Sequence, residues 1–173
     1  MSTQNGIEVL IADPLSGDEV RRLAREVPTE KLYPHIYSTH ERTARNAAWI
    51  MTHKPAQEIS TLPQEELVEL TLKSEDVTIR RLTLNLIERQ GIEKEDIRTD
   101  LLDYCLEHMV RLDEPPGIQS LCMKLAYGMC RHYPELLHEF NETLSLMQPE
   151  NYKPGMRHMI KKLFKNRSSI KYD

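Results

Sequence analysis

Cysteine and histidine are the residues of this sequence that could hold a metal ion or act as nucleophiles. Cys105 and His108 are three positions apart, and one residue separates Cys130 from His132. Two such pairs could in principle supply the four ligands of a zinc site. The sequence has no Cys-x-x-Cys pair and no His-Glu-x-x-His, and its three cysteines lie in apolar stretches. We therefore predict buried reduced thiols without a metal, and histidines that cover helix edges.

No spacing in the sequence matches a known catalytic motif. Gly-x-Ser-x-Gly and a phosphate-binding glycine loop are both absent. Two clusters of acidic residues occur, which we interpret as solvated faces near helix starts, where the helix dipole favours negative charge. We predict no catalytic residue and no cofactor. The two clusters are Glu65, Glu66 and Glu69, and Glu93, Glu95 and Asp96.

Positive charge is concentrated at the C-terminal end of an acidic chain. The net charge of the whole sequence is −4, yet residues 153–173 contain seven lysines and arginines and one acidic residue, Asp173. A basic end on an acidic body favours an anionic partner, and nucleic acid is one such partner. Basic residues also stabilise a helix C-terminus without any partner. Both interpretations stay open.

The elements that position these residues are predicted to be helices. Glycine is scarce, the ten prolines fall between apolar-periodic runs, and no alternating strand-like run occurs. Residues 74–91 give the clearest case: Ser74 or Asp76 can cap the first turn, and Gly91 suits a left-handed stop. Between them lies a wide apolar band that needs neighbours on more than one side. The band consists of Val77, Ile79, Leu82, Leu86 and Ile87.

Further helices follow from the same signals. Capping boxes are expected at Ser16–Glu19 and at Ser38–Glu41. Residues 94–112 are predicted to form one long helix, and residues 117–133 the most central one, because they are almost uncharged. A helical turn is expected at 56–59, whereas residues 7–12 could be a short helix or an extended arm.

These helices recur in pairs. The second helix of each pair aligns without gaps at Ala44, Ile79, Ile118 and Met156, at intervals of about 35 to 39 residues. First helices are expected to start near residues 30, 64, 95 and 135. A helix–turn–helix unit repeated at this period is typical of an α-solenoid.

The paired helices resemble the HEAT/armadillo-like repeat superfamily. Asp76 followed by Val77-Thr78-Ile79-Arg80 is similar to the HEAT pattern of an acidic turn residue, a branched apolar residue and an arginine. The resemblance implies a ladder of aspartates and arginines between neighbouring repeats. Arg45, Arg80 and Arg157 occupy the arginine position, whereas Gln119 interrupts it.

We therefore predict an all-α fold, a right-handed α-α superhelix of about four HEAT-like helical pairs. An N-terminal segment with a short helix would cover residues 1–28, the repeat array residues 29–166 and a polar tail residues 167–173. The first residues show neither the basic nor the apolar region of a signal peptide, so we expect none there, and no apolar run approaches the ~18 residues of a membrane span. These features lead us to expect a cytoplasmic protein.

The resemblance implies that a concave groove lined by the second helices binds a partner. Our first hypothesis is a non-enzymatic scaffold that binds a protein or peptide in this groove. The alternative is a nucleic-acid-binding protein, or a divergent DNA glycosylase of the HEAT-like type, with residues 153–171 as the basic contact. Arg80 and Arg81 could each belong to the ladder or to the groove. Trp49 could line the groove, but a packing role is the interpretation that we favour. The candidate groove residues are Arg45, Trp49, Arg80, Arg81, Arg157 and Lys161.

Overall fold

The computed structural model describes residues 3–168, with side chains for residues 6–165. Over this range the chain forms eleven α-helices and three short 3-10 segments, without a strand. The all-α prediction is therefore confirmed. The chain divides between Gln90 and Gly91 into two compact units.

The N-terminal unit contains seven helices. Residues 7–12 are helical, so the alternative of an extended arm is wrong. The predicted first helix near residue 30 is one α-helical turn continued by a 3-10 segment, Tyr33–Tyr37. The helices are α1 (Thr3–Ala12), α2 (Gly17–Glu26), α3 (Thr29–Leu32), α4 (Glu41–Met51), α5 (Ala56–Ile59), α6 (Gln64–Lys73) and α7 (Val77–Gln90).

Two pairs of neighbouring elements form most of this unit: the 3-10 segment with α4, and α6 with α7. Helix α4 also packs on α1, α2 and α7, so it lies at the centre of the unit. Because α4 has neighbours on several sides, small residues are needed along it, and Ala44, Ala47 and Ala48 are all buried. On α7 the buried residues include Ile79, Leu82, Leu86 and Ile87. Val77 is 43% exposed, so its place in the predicted apolar band is wrong.

The observed helix ends agree with some of the predicted capping residues and disagree with others. Ser16 and Glu19 form the complete capping box. The box predicted at Ser38–Glu41 is wrong, because His40 is the N-cap of α4 and its ring nitrogen accepts from the backbone N–H of Thr43. Asp76 starts α7 by accepting from the N–H groups of Thr78 and Ile79 at 2.8 and 3.3 Å. Gly91 ends it in the predicted left-handed conformation, with φ at 76°.

The C-terminal unit contains four helices and two 3-10 segments, Lys94–Asp96 and Pro149–Asn151. The long helix predicted over 94–112 is interrupted, because Ile97 and Arg98 are extended. Helix α9 packs on each of the other three helices, which confirms its predicted central place. The helices are α8 (Thr99–Val110), α9 (Pro116–Cys130), α10 (Pro134–Leu146) and α11 (Pro154–Ser168).

The three cysteines are free and buried in this unit, as predicted. A hydrogen bond with Cys122 and burial raise the pKa of the Cys105 thiol, and burial raises that of Cys130 to about 11. A thiol with a raised pKa carries little thiolate at neutral pH and is a poor nucleophile. In the part of the chain that the structure describes, no three His, Cys, Asp or Glu residues come together as a metal site.

Candidate binding face

An ion pair joins the second helices of the N-terminal unit. The Nε of Arg45, on α4, donates to Oδ2 of Asp76 at 2.6 Å, and its Nη2 lies 3.3 Å from Oε2 of Glu41. The Asp76 carboxylate raises the pKa of the Arg45 guanidinium. Since Asp76 also caps α7, one carboxylate starts this helix and ties it to α4. This is the aspartate–arginine contact that the sequence resemblance implied.

The other positions aligned with Arg45 bond differently. In the C-terminal unit Gln119, at the start of α9, donates to the carbonyl of Arg111. The Nε of Arg157 donates to the carbonyl of Tyr152 at 2.9 Å. Both side chains therefore stabilise the turn that precedes their own helix. Arg80 is half-buried on α7.

The exposed sides of α4 and α7 carry most of the predicted groove residues of the N-terminal unit. Arg45 is exposed and Trp49, one turn further along α4, is half-buried. Val77 and Arg81 are exposed on α7, one turn apart. Val77 directly follows Asp76, the residue that Arg45 contacts. Side chains four residues apart on a helix lie on the same side. We call the surface formed by Arg45, Trp49, Val77 and Arg81 the α4–α7 face.

The remaining predicted groove residues, Arg157 and Lys161, are exposed on α11 in the C-terminal unit. His158 and Lys162 are exposed beside them, whereas Met156 and Ile160 are buried against the unit. Helix α11 is therefore amphipathic, with a basic outer side. Of the basic residues predicted to bind an anionic partner, Lys171 and the side chain of Arg167 lie outside the described residues.

Several side-chain hydrogen bonds that connect the elements of the N-terminal unit were not predicted from the sequence. Asn46 is buried on α4, and its amide donates to the carbonyls of Ile11 and Asp13 at 2.9 and 2.8 Å, which ties the end of α1 to α4. Gln90, at the end of α7, donates to the carbonyls of Ile59 and Leu62. Asn46 is a polar residue on the apolar side of a predicted helix, and this could have indicated a buried hydrogen bond. Its partners could not be predicted, because they are 33 and 35 residues away in the sequence.

The C-terminal unit holds a buried pair that the sequence did not reveal. Nδ1 of His108 and Oε2 of Glu114 are 2.6 Å apart, and each residue is only 8% exposed. The ring of Tyr104 stacks on that of His108, with centroids 3.9 Å apart. This cluster joins the end of α8 to the turn before α9, so His108 has a structural partner.

A sequence model of the HEAT repeat domain matches residues 11–167. The match spans nearly all of the chain, and the paired helices and the Arg45–Asp76 contact agree with it. The fold thus defines an all-α protein of paired helices. The chain belongs to the HEAT repeat family. No curated protein and no solved structure matches it. No helix among the described residues combines the length and the apolar character that crossing a membrane requires.

Proposed function

We propose that this protein is a HEAT-repeat scaffold without catalytic activity of its own, and that it binds a protein or peptide through the α4–α7 face. The observation that carries this proposal is the mixed chemistry of the face. Val77 is an exposed apolar side chain, Trp49 is a partly exposed aromatic, and Arg81 is an exposed cation. Tryptophan and arginine are enriched among the residues that dominate binding energy at protein interfaces.

The arginines of the face do not form a uniformly positive stripe. Arg45 is paired with both Glu41 and Asp76, so its charge is largely compensated. Duplex binding needs several uncompensated cations against successive phosphates. A surface with apolar, aromatic and compensated charged residues fits a protein or peptide better. The packing of α4 on α7 and the Arg45–Asp76 contact hold the face in one geometry, which lowers the entropic cost of binding.

Affinity capture from the native cell tests this proposal when face variants are compared with matched controls. Val77→Asp and Arg81→Glu change the face, whereas Val9→Asp and Arg25→Glu make the same changes at exposed positions of α1 and α2. Aspartate in the first turn of a helix is favourable, so Val77→Asp should leave α7 folded. We expect a partner that the wild type and both controls retain and both face variants lose. Equal capture by all five proteins would exclude the face as the binding site.

Nucleic-acid binding is a second candidate function, favoured by the basic side of α11. Arg157, Lys161 and Lys162 are exposed there, and no acidic residue occurs between positions 151 and 168. Fluorescence anisotropy with a labelled duplex of ~20 base pairs at several salt concentrations tests it. Binding that weakens steeply with salt, and is lost in Lys161→Glu/Lys162→Glu, would support this candidate. No binding at low salt would exclude it.

A further inference from the structure

A groove of about 700 Å³ lies between the 3-10 segment Tyr33–Tyr37 and helix α6. It is on the first helices of the two pairs and shares no residue with the α4–α7 face. Apolar surface from Leu70 and Pro63 lines it together with the ring of Tyr37, which is 42% exposed. The residues that line the groove are Tyr37, Pro63, Glu65, Glu66, Glu69, Leu70 and Lys73.

A chain of hydrogen bonds orients the aromatic wall of the groove. The hydroxyl of Tyr33 donates to Oε2 of Glu66 at 3.0 Å, and the two tyrosine hydroxyl oxygens are 2.6 Å apart. Since Tyr33 uses its only proton on Glu66, the Tyr37 hydroxyl donates to Tyr33. The two rings meet edge to face, with centroids 5.5 Å apart. Glu66 and Tyr37 are thereby held in fixed positions across the groove.

The charge of the groove is negative. The lining holds three carboxylates and one ammonium group, and Glu69 is paired with Lys73 at 2.7 Å, so Glu65 and Glu66 give it a net negative charge. The bond from Tyr33 occupies one oxygen of Glu66 and leaves acceptor capacity on the carboxylate. Tyrosine is neutral at physiological pH, and the exposed part of the Tyr37 ring can face a cation in the groove.

We propose that this groove binds an arginine side chain of a partner peptide, with an apolar neighbour of that arginine against Leu70 and Pro63. Arginine fits each part of the site. Its planar guanidinium stacks on an aromatic ring and donates two parallel hydrogen bonds to a carboxylate. The stem of arginine is apolar, which suits the apolar lining. The α4–α7 face is a separate surface, so the two proposals stand or fall independently.

Peptide binding with an isosteric neutral control tests this site. The probe is a fluorescein-labelled Ala-Leu-Arg-Leu-Ala peptide, and the control carries citrulline in place of arginine, which keeps the shape and removes the charge. A hydrogen bond to a charged group contributes about 1.5–3 kcal/mol. We therefore expect the citrulline peptide to bind roughly tenfold or more weakly, and a lysine peptide to bind more weakly than the arginine peptide.

Variants of the protein locate the binding. Glu66→Gln keeps the shape of the side chain and removes its charge, and we expect it to weaken binding of the arginine peptide roughly tenfold. Glu135→Gln makes the same change at an exposed position of α10 and should have no effect. Val9→Asp, at an exposed position of α1 outside both proposed sites, should also leave the affinity unchanged.

Three results would overturn the proposal. The first is no saturable binding of the arginine peptide up to about 1 mM. The second is equal affinity for the arginine and citrulline peptides, and the third is an equal loss in Glu66→Gln and Glu135→Gln. Circular dichroism of each variant shows whether the fold is retained, and Tyr37→Ala provides an independent change of the same site that should weaken binding as well.

Discussion

The carboxylate of Asp76 acts on two helices at once. It accepts from two backbone N–H groups at the start of α7 and from the guanidinium of Arg45 on α4. These contacts differ in strength, because Arg45 has a side chain that is 44% exposed and an exposed ion pair is weakened by solvent. The N-cap bonds are local and are made to groups with no other partner within the helix.

Replacement of Asp76 should therefore cost more stability than replacement of Arg45. We expect Asp76→Ala to lower the free energy of unfolding by about 1–2 kcal/mol, through the lost cap and the lost pair. Arg45→Ala should lower it by at most about 1 kcal/mol, and less at high salt. Urea unfolding at two salt concentrations measures both. Equal losses in the two variants would contradict the capping role of Asp76.

Tyrosine ionisation tests the hydrogen bonds of the groove. Burial, and then the bond with Tyr37, raise the pKa of Tyr33 far above the usual value of about 10, and burial raises that of Tyr37. A raised folded-state pKa contributes stability that is present below pH 10 and is lost as the pH rises further. In an alkaline titration at 295 nm we expect a late-ionising fraction that Tyr33→Phe/Tyr37→Phe reduces. Ionisation of all tyrosines near pH 10 in the folded protein would be inconsistent with these bonds.

At the scale of the element, signals within one helical turn predicted where helices begin and end. The same signals did not predict the contacts between residues that are far apart in the sequence. Gly91 and the Ser16 capping box were predicted because each depends on residues within one turn. The Ser38 box was predicted from spacing and is wrong, because α4 begins only at Glu41, with His40 as its N-cap. The Tyr33–Glu66 bond joins residues 33 positions apart, and no local pattern shows which helices will be neighbours.

The two units join at Gly91, whose left-handed conformation gives a paired prediction. Gly91→Ala should lower the free energy of unfolding by about 1–2 kcal/mol, since a side chain at this φ meets its own backbone. Gly128 lies within α9, and a Cβ there would meet no atom within 4 Å. Gly128→Ala should therefore raise stability by about 0.5–1 kcal/mol. Chemical unfolding compares the two variants, and a shift of the same sign in both would contradict the assigned conformations.

At the scale of the whole molecule, the repeat pattern of the sequence predicts the family and the fold well, but it says little about function. The alignment of Ala44, Ile79, Ile118 and Met156 follows from a need that every repeat shares, which is to bury one side of its second helix. The surface residues have no such common need. Arg45, Gln119 and Arg157 occupy equivalent positions and contact an aspartate, a carbonyl and another carbonyl, respectively. Equivalent positions in the repeat therefore do not imply equivalent roles.

The core of the repeat gives the prediction at this scale. Leu82 is 3% exposed on α7, which packs on α4, α5 and α6. Leu82→Asp would place a charge among these helices, and we expect it to abolish cooperative folding of the N-terminal unit. Leu146 is 82% exposed, so Leu146→Asp should change the melting temperature little. Thermal unfolding followed by circular dichroism measures both, and wild-type melting of Leu82→Asp would refute the packing described for α7.

Site-specific photo-crosslinking tests the central claim, binding through the α4–α7 face, most directly. Benzoylphenylalanine would replace Arg81 in one protein and Arg25 in another, and each would be irradiated in the native cell. Both positions are exposed arginines of the N-terminal unit, on α7 and α2 respectively. The account predicts a discrete crosslinked product with one protein from position 81 and none from position 25. The absence of a product at position 81, or the same product from both positions, would contradict it.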